Sequence, residues 1–339
     1  MAKIQDSAVP TTKDVARLAG VSPATVSYVI NGHRKGSPTI TEATRQRVLA
    51  AMAELNYVPN LAGRNLRRLQ TERVCLALTD LGRPYDNRLA EDILRKSQEK
   101  GYSFIVAMEG EAKLKEPILK QLQSRMADGA VIKLEDINQI ELEDLVKAQI
   151  AVVVFNNQLA PQNFDVVRTN EAEAARVAVR YLIDKGHRRI GFIGHHFIDS
   201  PFEVRYLTYK STLQEYGIAL NKDLIVTGAD KREEAYLSTK GLIALENPPT
   251  AIFCASDIAA ISAIWAIRDA NLRIPEDIAV IGSGNIPESK YTSPPLTTIG
   301  LVSLDFTEVA NLLFSRLENP ALPGRELCLP WELILRGSA

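Results

Sequence analysis

TTKDVARLAGVSPATVSYVIN, Thr11 to Asn31, is the stretch on which the reading of this chain turns. Thr12 is placed to cap a first short helix, in which Val15, Ala16 and Leu18 or Ala19 make an apolar face at spacings of three and four. Gly20 supplies the backbone freedom that a tight turn between helices demands. Ser22 followed by Pro23 starts a second helix, because the serine oxygen satisfies a free backbone N–H and proline loses nothing at the first helical position. On that helix Val26, Val29 and Ile30 turn inward. Pro23, Ala24, Thr25, Ser27, Tyr28 and Asn31 are left for the outer face, where short polar groups suit base edges and phosphates. A plain helical hairpin with Tyr28 as a half-buried aromatic fits this spacing equally well, so the neighbourhood has to decide.

The neighbourhood is basic. Residues 1–73 carry 11 Lys and Arg against 5 Asp and Glu, a net of +6, which leaves 29 against 36 and a net of −7 for the remainder of a chain whose total is −1. A basic head on an acidic body is the footprint of a nucleic-acid-binding module joined to something that does not bind nucleic acid. With 339 residues, 46% hydrophobic and 24% charged, the chain is a soluble type large enough for two or three domains. It has no run of about 20 apolar residues, and MAKIQDSAVP has no apolar signal core, so a cytoplasmic protein without membrane contact is expected. Cys75, Cys254 and Cys328 lie far apart in apolar runs and read as buried free thiols rather than a disulfide or metal site.

Three runs, DVARLAGVSPATVSYVIN, ITEATRQRVLAAMAELNYVPN and LAGRNLRR, closely resemble the DNA-binding headpiece and hinge of the lactose/galactose repressor (LacI/GalR) family, and the likeness continues at lower density to the C-terminus. The resemblance implies that the second helix enters the major groove and that Pro23, Ala24 and Tyr28 stand at its base-contacting positions. Pro23 and Ala24 suit a thymine methyl rather than a guanine edge, and Tyr28 stands where arginine or histidine is frequent in the family. Lys13, Ser22, Thr25, Ser27, Asn31 and Tyr57 complete the expected contacts of the headpiece.

Between the helices sits NGHRKGSPTI, a loop longer than the family usually has, in which His33, Arg34 and Lys35 either add phosphate contacts or float free. A third helix is expected from about Thr41 to Leu55, with Val48, Met52 and Leu55 closing a small core. Asn60 is a plausible cap for a hinge helix of two or three turns, far below the roughly 12 to 15 residues at which isolated helices become marginal. Gly63 weakens it further, by about 1 kcal/mol relative to alanine. The resemblance implies that two such hinges, one per subunit, pair in the minor groove and push a leucine between base steps. The matching residue is Leu66, an apolar wedge that costs a few kcal/mol of unstacking and obtains a kinked duplex.

From Val74 onward the runs VCLALTD, SFIVAM, GAVIKL, IAVVVFNN, FDVVRTN, RRIGFIGH, LIVTG, TAIFCAS and IAVIGSG alternate with amphipathic helical patterns. Continuous Val/Ile-rich strands of this kind predict parallel sheets covered on both faces, and their number predicts two doubly wound halves with a cleft between them. The expected fold is therefore a small all-α helix-turn-helix headpiece followed by an α/β domain of two doubly wound parallel-sheet subdomains, which the resemblance names periplasmic-binding-protein-like, type I. The expected boundaries are a headpiece at 1–58, a hinge and linker at 59–73 and an effector-binding and dimerisation domain at 74–339. Within that domain the N-subdomain is expected at about 74–185 and 299–323 and the C-subdomain at about 186–298 and 324–339, with crossings near Gly186, Thr298 and Gly324.

Ligands in doubly wound folds bind at the carboxyl ends of strands. Candidate effector residues are Arg83 and Tyr85 after the first strand, Asn170 at the end of FDVVRTN, Arg205 at the start of RYLTY, Ser256 and Asp257 after TAIFCA, and Asn285 in GSGN. By resemblance, Arg205 matches an arginine that anchors ligand hydroxyls or a carboxylate, for which a guanidinium fork is suited. Three departures bear on the ligand: Ser256 and Asp257 replace a frequent Asn-Asp, Thr169 and Asn170 a frequent Asp-Asn, and Gly284 takes the place of an aspartate that often meets sugar hydroxyls. A pocket without that carboxylate suits polyols less well. A sugar derivative, a phosphorylated or other anionic effector, or a pocket that binds nothing all fit.

No GxGxxG or GxxxxGK[ST] run and no Ser/His/Asp or Cys/His spacing suggests an enzyme, and no cofactor or metal is expected; His195 and His196 are adjacent and would point to opposite faces of a strand. The C-terminal ELCLPWELILRGSA lacks a heptad tail, which favours a homodimer over a tetramer. The reading is a transcriptional regulator, a repressor by preference, that binds double-stranded operator DNA under control of a small-molecule effector. Induction and corepression both fit it, as does an effector-independent or activating regulator. A solute-binding receptor on the same fold is the remote rival.

Overall fold

In the computed structural model, which describes residues 10–31, 40–58, 70–79, 83–109, 115–134, 136–196, 203–229 and 231–339, Thr11–Asn31 folds as two helices around a tight turn. They are α1 (Thr12–Ala19) and α2 (Pro23–Asn31), followed by α3 (Glu42–Glu54). The cap of α1 is Thr11 rather than the expected Thr12. Thr11 forms a reciprocal capping box with Asp14, which satisfies two orphan N-terminal groups at once. Thr12 is the first helical residue, and its hydroxyl meets the Tyr57 hydroxyl at 2.8 Å. Gly20 closes α1 in the left-handed conformation at φ 64°, and Ser22 accepts the Thr25 N–H at 3.1 Å to start α2. Val15, Ala16, Ala19, Val26, Val48 and Ala51 form the buried core, with Val29, Ile30, Met52 and Leu55 packed partly against it. Leu18 is exposed, so the inward position falls to Ala19.

The chain divides into two compact units, Met1–Thr71 and Glu72–Ala339. The second unit holds two six-stranded sheets. In the first lobe β1 (Arg73–Leu78), β2 (Ser103–Met108), β3 (Gly129–Lys133), β4 (Ala151–Phe155), β5 (Asp165–Thr169) and β11 (Glu326–Leu329) run parallel in the order β11-β5-β4-β3-β1-β2. Successive side chains of β1 go to opposite faces: Val74, Leu76 and Leu78 join one cluster, Cys75 and Ala77 another. Helices cover both faces, as a continuous apolar strand requires. On one side lie α4 (Pro84–Lys100) and α11 (Thr307–Glu318), which bring Leu89, Ile93, Leu313 and Phe314; on the other lie α5 (Glu116–Gln123) and α6 (Gln139–Lys147), with Leu122, Leu142 and Leu145.

The second lobe has β6 (Ile190–Gly194), β7 (Ile225–Thr227), β8 (Ala251–Cys254), β9 (Ala279–Ser283), β10 (Thr297–Leu301) and β12 (Trp331–Ile334) in the order β12-β10-β9-β8-β6-β7, with β12 antiparallel to β10. Its helices are α7 (Glu171–Asp184), α8 (Val204–Glu215), α9 (Arg232–Ile243) and α10 (Asp257–Asp269). Close packing here excludes side chains at two glycines: a Cβ on Gly282 would run into the Asp257 carboxylate, and one on Gly300 would lie 2.8 Å from the Gly284 backbone.

The three crossings between lobes differ from those expected. The first is at Asn170, because α7 packs on α8, β10 and β12 of the second lobe instead of belonging to the first. The second follows Leu301, since Thr298 lies inside β10, a strand absent from the apolar runs expected from sequence. The third is Pro330, because β11 extends the first sheet before β12 enters the second. Cys75 and Cys254 are buried free thiols, whereas Cys328 is exposed: β11 is an edge strand with one covered face. Among the described residues no helix is long and apolar enough to cross a membrane. His33, Arg34, Lys35, Asn60, Gly63 and Leu66 lie outside the described residues.

Candidate functional site

Two regions bring the candidate residues together. The first is the outer face of α2. Ser22 and Thr25 hydroxyls meet at 2.9 Å, which fixes both at the start of the helix, and Tyr28 is exposed beside them. Pro23 and Ala24 lie in the exposed first turn and Ser27 is partly covered, while Asn31 ends the helix. Lys13 is exposed on α1. Tyr57 is engaged within the headpiece itself, where its hydroxyl ties the segment after α3 to Thr12 at the start of α1.

The second region is a cavity of about 330 Å3 between the lobes of the larger unit. Its walls come from the carboxyl ends of strands in both sheets: Lys133 ends β3, Phe155 ends β4, Thr169 ends β5, Ser283 ends β9, and Asn156, His195 and Ala255 follow their strands directly. Of the expected residues, Arg83, Tyr85, Arg205, Ser256 and Asp257 line it.

Asn170 and Asn285 do not, and each has a structural reason. Asn170 sits on the first crossing, where its side chain accepts the Trp331 N–H and donates to the Trp331 carbonyl at 3.2 Å. It therefore stitches the first crossing to the third. Asn285 is buried; it donates to the Leu301 carbonyl at 2.7 Å and accepts from Arg336 at 2.6 Å, which holds the second crossing.

Within the cavity wall, several groups are already committed. Ser256 caps α10 by accepting the Ala259 N–H at 3.0 Å and donates to the Ala229 carbonyl at 2.6 Å. Asp257 is buried; its carboxylate accepts the Thr298 hydroxyl and the Ile286 N–H. Burial outweighs these neutral donors and pushes its pKa up to about 6. Burial likewise pushes the Tyr85 phenol well above its ordinary range. Lys133 pairs with Asp86 and lies over the Tyr85 ring at 4.9 Å.

Arg205, in the first turn of α8, is held from three sides. Its Nε lies 3.3 Å from the Glu171 carboxylate, its Nη1 3.4 Å from His195 Nε2, and its guanidinium carbon 5.3 Å from the centre of the Trp331 ring. His195 is buried against the cavity and His196 points away to Glu234, so the adjacent histidines do diverge. Among the described residues no group of three or more His, Cys, Asp or Glu is placed to hold a metal.

The cavity is not short of carboxylates. Gly284 lines it without a carboxylate, as expected, but Asp86, Asp136 and Glu171 face the cavity from other elements beside Asp257, so acceptors not foreseen from sequence stand in the wall. These residues, with Lys133, His195 and the Asn156-Asn157-Gln158 run, were missed by sequence reasoning. Most were legible in principle, since each stands just at or after the end of an identified strand. Trp331 was not, because the third crossing was misplaced.

Residues 11–60 match the family model for bacterial regulatory proteins, lacI family, and residues 179–339 match the periplasmic binding protein-like domain. A ribose operon repressor of Haemophilus influenzae is 33% identical over 330 residues, 97% of this chain and 98% of that protein. An HTH-type transcriptional repressor PurR of Photobacterium profundum is 33% identical over 332 residues, with 97% and 98% covered. The solved lac repressor dimer bound to operator and the anti-inducer ONPF shares the fold at a TM-score of 0.79, with 24% identity over 98% of this chain and 99% of that one.

Proposed function

The chain belongs to the lacI family of bacterial regulatory proteins and is a DNA-binding transcriptional regulator controlled by a small-molecule effector, and from that premise we propose that it represses from a pseudo-palindromic operator as a homodimer, released or retained by a neutral polyol in the interlobe cavity. Two headpieces related by a twofold axis would place their α2 helices in major grooves about 34 Å apart, one helical turn. Pro23, Ala24 and Tyr28 are the proposed base contacts, Lys13, Ser22, Thr25, Ser27 and Asn31 the supporting ones, and Leu66 the proposed wedge.

The observation that carries the effector class is the charge arrangement of the cavity. Its wall holds four carboxylates, Asp86, Asp136, Glu171 and Asp257, against three cations, Arg83, Lys133 and Arg205. Lys133 and Arg205 already have carboxylate partners. An incoming phosphate would meet an excess of negative charge and compete with two internal ion pairs, whereas sugar hydroxyls both donate to carboxylates and accept from the guanidinium. Tyr85, Phe155 and Trp331 add apolar faces suited to a sugar ring. The ribose operon repressor among the relatives agrees with a small sugar.

Coupling follows from where these residues sit. Glu171 comes directly after the first crossing and Trp331 directly after the third, so a ligand that favours one lobe spacing biases the crossings and, through residues 59–71, the headpieces. The test is operator binding by the full chain with neutral sugars and with sugar phosphates. A neutral sugar that changes operator affinity supports the reading; a response confined to phosphorylated or anionic compounds overturns the assigned class.

A further inference from the structure

Trp331 is the cavity residue with the most unusual surroundings. It opens β12 immediately after the third crossing and is only 5% exposed, yet it lines the cavity. Its backbone is clamped on both sides by the Asn170 amide, so the first crossing fixes the position of the third. Its ring carries the Arg205 guanidinium on one side, and the Tyr85 ring stands 6.2 Å away, tilted by 47°. Tyr85 in turn packs edge-on against Phe306, beyond the second crossing, at 4.7 Å. The indole thus touches groups from both lobes.

Two buried N–H groups of this assembly lack a hydrogen bond: Arg205 Nε, which has the Glu171 carboxylate 3.3 Å away as an ion-pair partner, and Trp331 Nε1, which has no charged partner. The buried Trp331 Nε1 has no acceptor at ordinary hydrogen-bond geometry, although the indole N–H is close enough to the Tyr85 phenol to lower its pKa slightly against the effect of burial. A buried N–H without an acceptor costs roughly 1–3 kcal/mol, and a native structure usually supplies the missing partner. In a cavity wall that partner is a ligand oxygen.

We propose that Trp331 is a specificity-determining residue of the effector site: its Nε1–H donates to a ring oxygen or hydroxyl of the bound polyol while its ring holds Arg205 in position to take a neighbouring hydroxyl. This rests on the cavity being the effector site. Ligands that place no acceptor opposite Nε1 leave the N–H unpaired and are discriminated against, because a site built around a donor rejects compounds lacking the matching acceptor. The same contact ties occupancy to the third crossing, since the Asn170 clamp prevents the Trp331 backbone from adjusting independently.

The sequence contains two tryptophans, Trp265 and Trp331, which permits a direct test. Trp265 is exposed on α10 and does not line the cavity, so Trp265→Phe leaves Trp331 as the sole emitter. The full-length Trp265→Phe protein is titrated with D-ribose, D-glucose, D-galactose, sucrose and ribose 5-phosphate, following both Trp331 emission and the thermal midpoint. The same titrations are run on Arg205→Ala and Trp331→Phe. The expected result is that at least one neutral sugar raises the midpoint, that Arg205→Ala abolishes the rise, that Trp331 emission changes saturably with the same midpoint concentration, and that Trp331→Phe weakens binding about tenfold and alters the order of preference among the sugars.

Sugar binding that needs Arg205 but leaves Trp331 emission fixed, or that survives Trp331→Phe within twofold, overturns the role of Trp331 and leaves the cavity reading standing. No response across the panel, or one that survives Arg205→Ala, overturns the cavity reading and the Trp331 proposal together. The emission arm does not depend on whether Trp331→Phe folds.

Discussion

Asp165 in the first lobe and Asp257 in the second are both buried to 1% exposure or less, and the two are treated in opposite ways. Asp165, at the start of β5, accepts paired bonds from Arg316 at 2.7 and 2.9 Å and from Arg325 at 2.7 and 3.1 Å. Burial pushes its pKa up, but the two arginines prevail and hold the carboxyl below the usual range. Asp257, at the start of α10, has only the Thr298 hydroxyl and the Ile286 N–H, and burial prevails. The first arrangement locks β5, the start of β11 and α11 with full charges that do not line the cavity. The second leaves in the cavity wall a carboxylate that burial makes easier to protonate, where the structure must answer to a ligand. Low dielectric makes both arrangements consequential, and the difference is that arginines bond Asp165 directly, whereas Arg336 and Arg205 act on Asp257 only from a distance.

The largest break in this comparison is Arg316→Met. Beyond Asp165, Arg316 donates to the carbonyls of Asn163, Leu322 and Pro323, so its loss leaves the buried carboxylate with Arg325 as its one cation and strands three acceptors. Denaturant unfolding at pH 7 is expected to lose about 3–5 kcal/mol; a loss under about 1 kcal/mol would mean that the lock is ornamental. Asn170→Ala comes next. It removes the partner of both the Trp331 N–H and carbonyl, with an expected cost of about 1–3 kcal/mol in the same assay.

Acid titration sharpens the contrast through its sign. Asp257 has a folded pKa near 6, above its unfolded value of 3.8, so the folded state binds the proton more tightly. Its contribution is most favourable below 3.8, falls as pH rises, and reaches its full penalty above about 6. Relative to Asp257→Asn, the parent should therefore gain about 1 kcal/mol of unfolding free energy when pH is lowered from 7 to 5. Asp165 works the other way: its stabilisation is present above 3.8 and disappears as pH falls through its lowered folded pKa. A parent that loses stability over pH 7 to 5 relative to Asp257→Asn would contradict the account of Asp257.

The smallest effect lies outside both lobes. Tyr57→Phe removes the bond to Thr12 and should lower headpiece stability by about 1 kcal/mol, seen as a shift of the headpiece melting transition. The transition of the two-lobed unit should not move.

What was legible in the sequence follows from how local the signals are. The headpiece helices were readable because caps and turns act over three or four residues: Ser22-Pro23 and Gly20 each declare a boundary. The slip from Thr11 to Thr12 came from choosing between two adjacent threonines, which only the reciprocal bond to Asp14 resolves. Buried parallel strands were readable as continuous apolar runs. The crossings were not, because α7 looks the same whichever sheet it covers, and β10, TTIGL, is short and begins with two threonines whose burial depends on Asp257 and Ser338. The candidate site shows the same division. Residues at strand ends were found or findable, while Trp331 and Glu171 belong to the cavity only through crossings that join distant parts of the chain.

The most direct test of regulation through the cavity is operator selection from random duplexes by the full-length protein, with and without D-ribose, D-glucose, D-galactose and sucrose, beside Arg205→Ala. The account predicts an enriched pseudo-palindrome whose retention changes with a neutral sugar in the parent and not in the variant. Selection of no palindrome, or of one that responds identically in parent and variant, would contradict it.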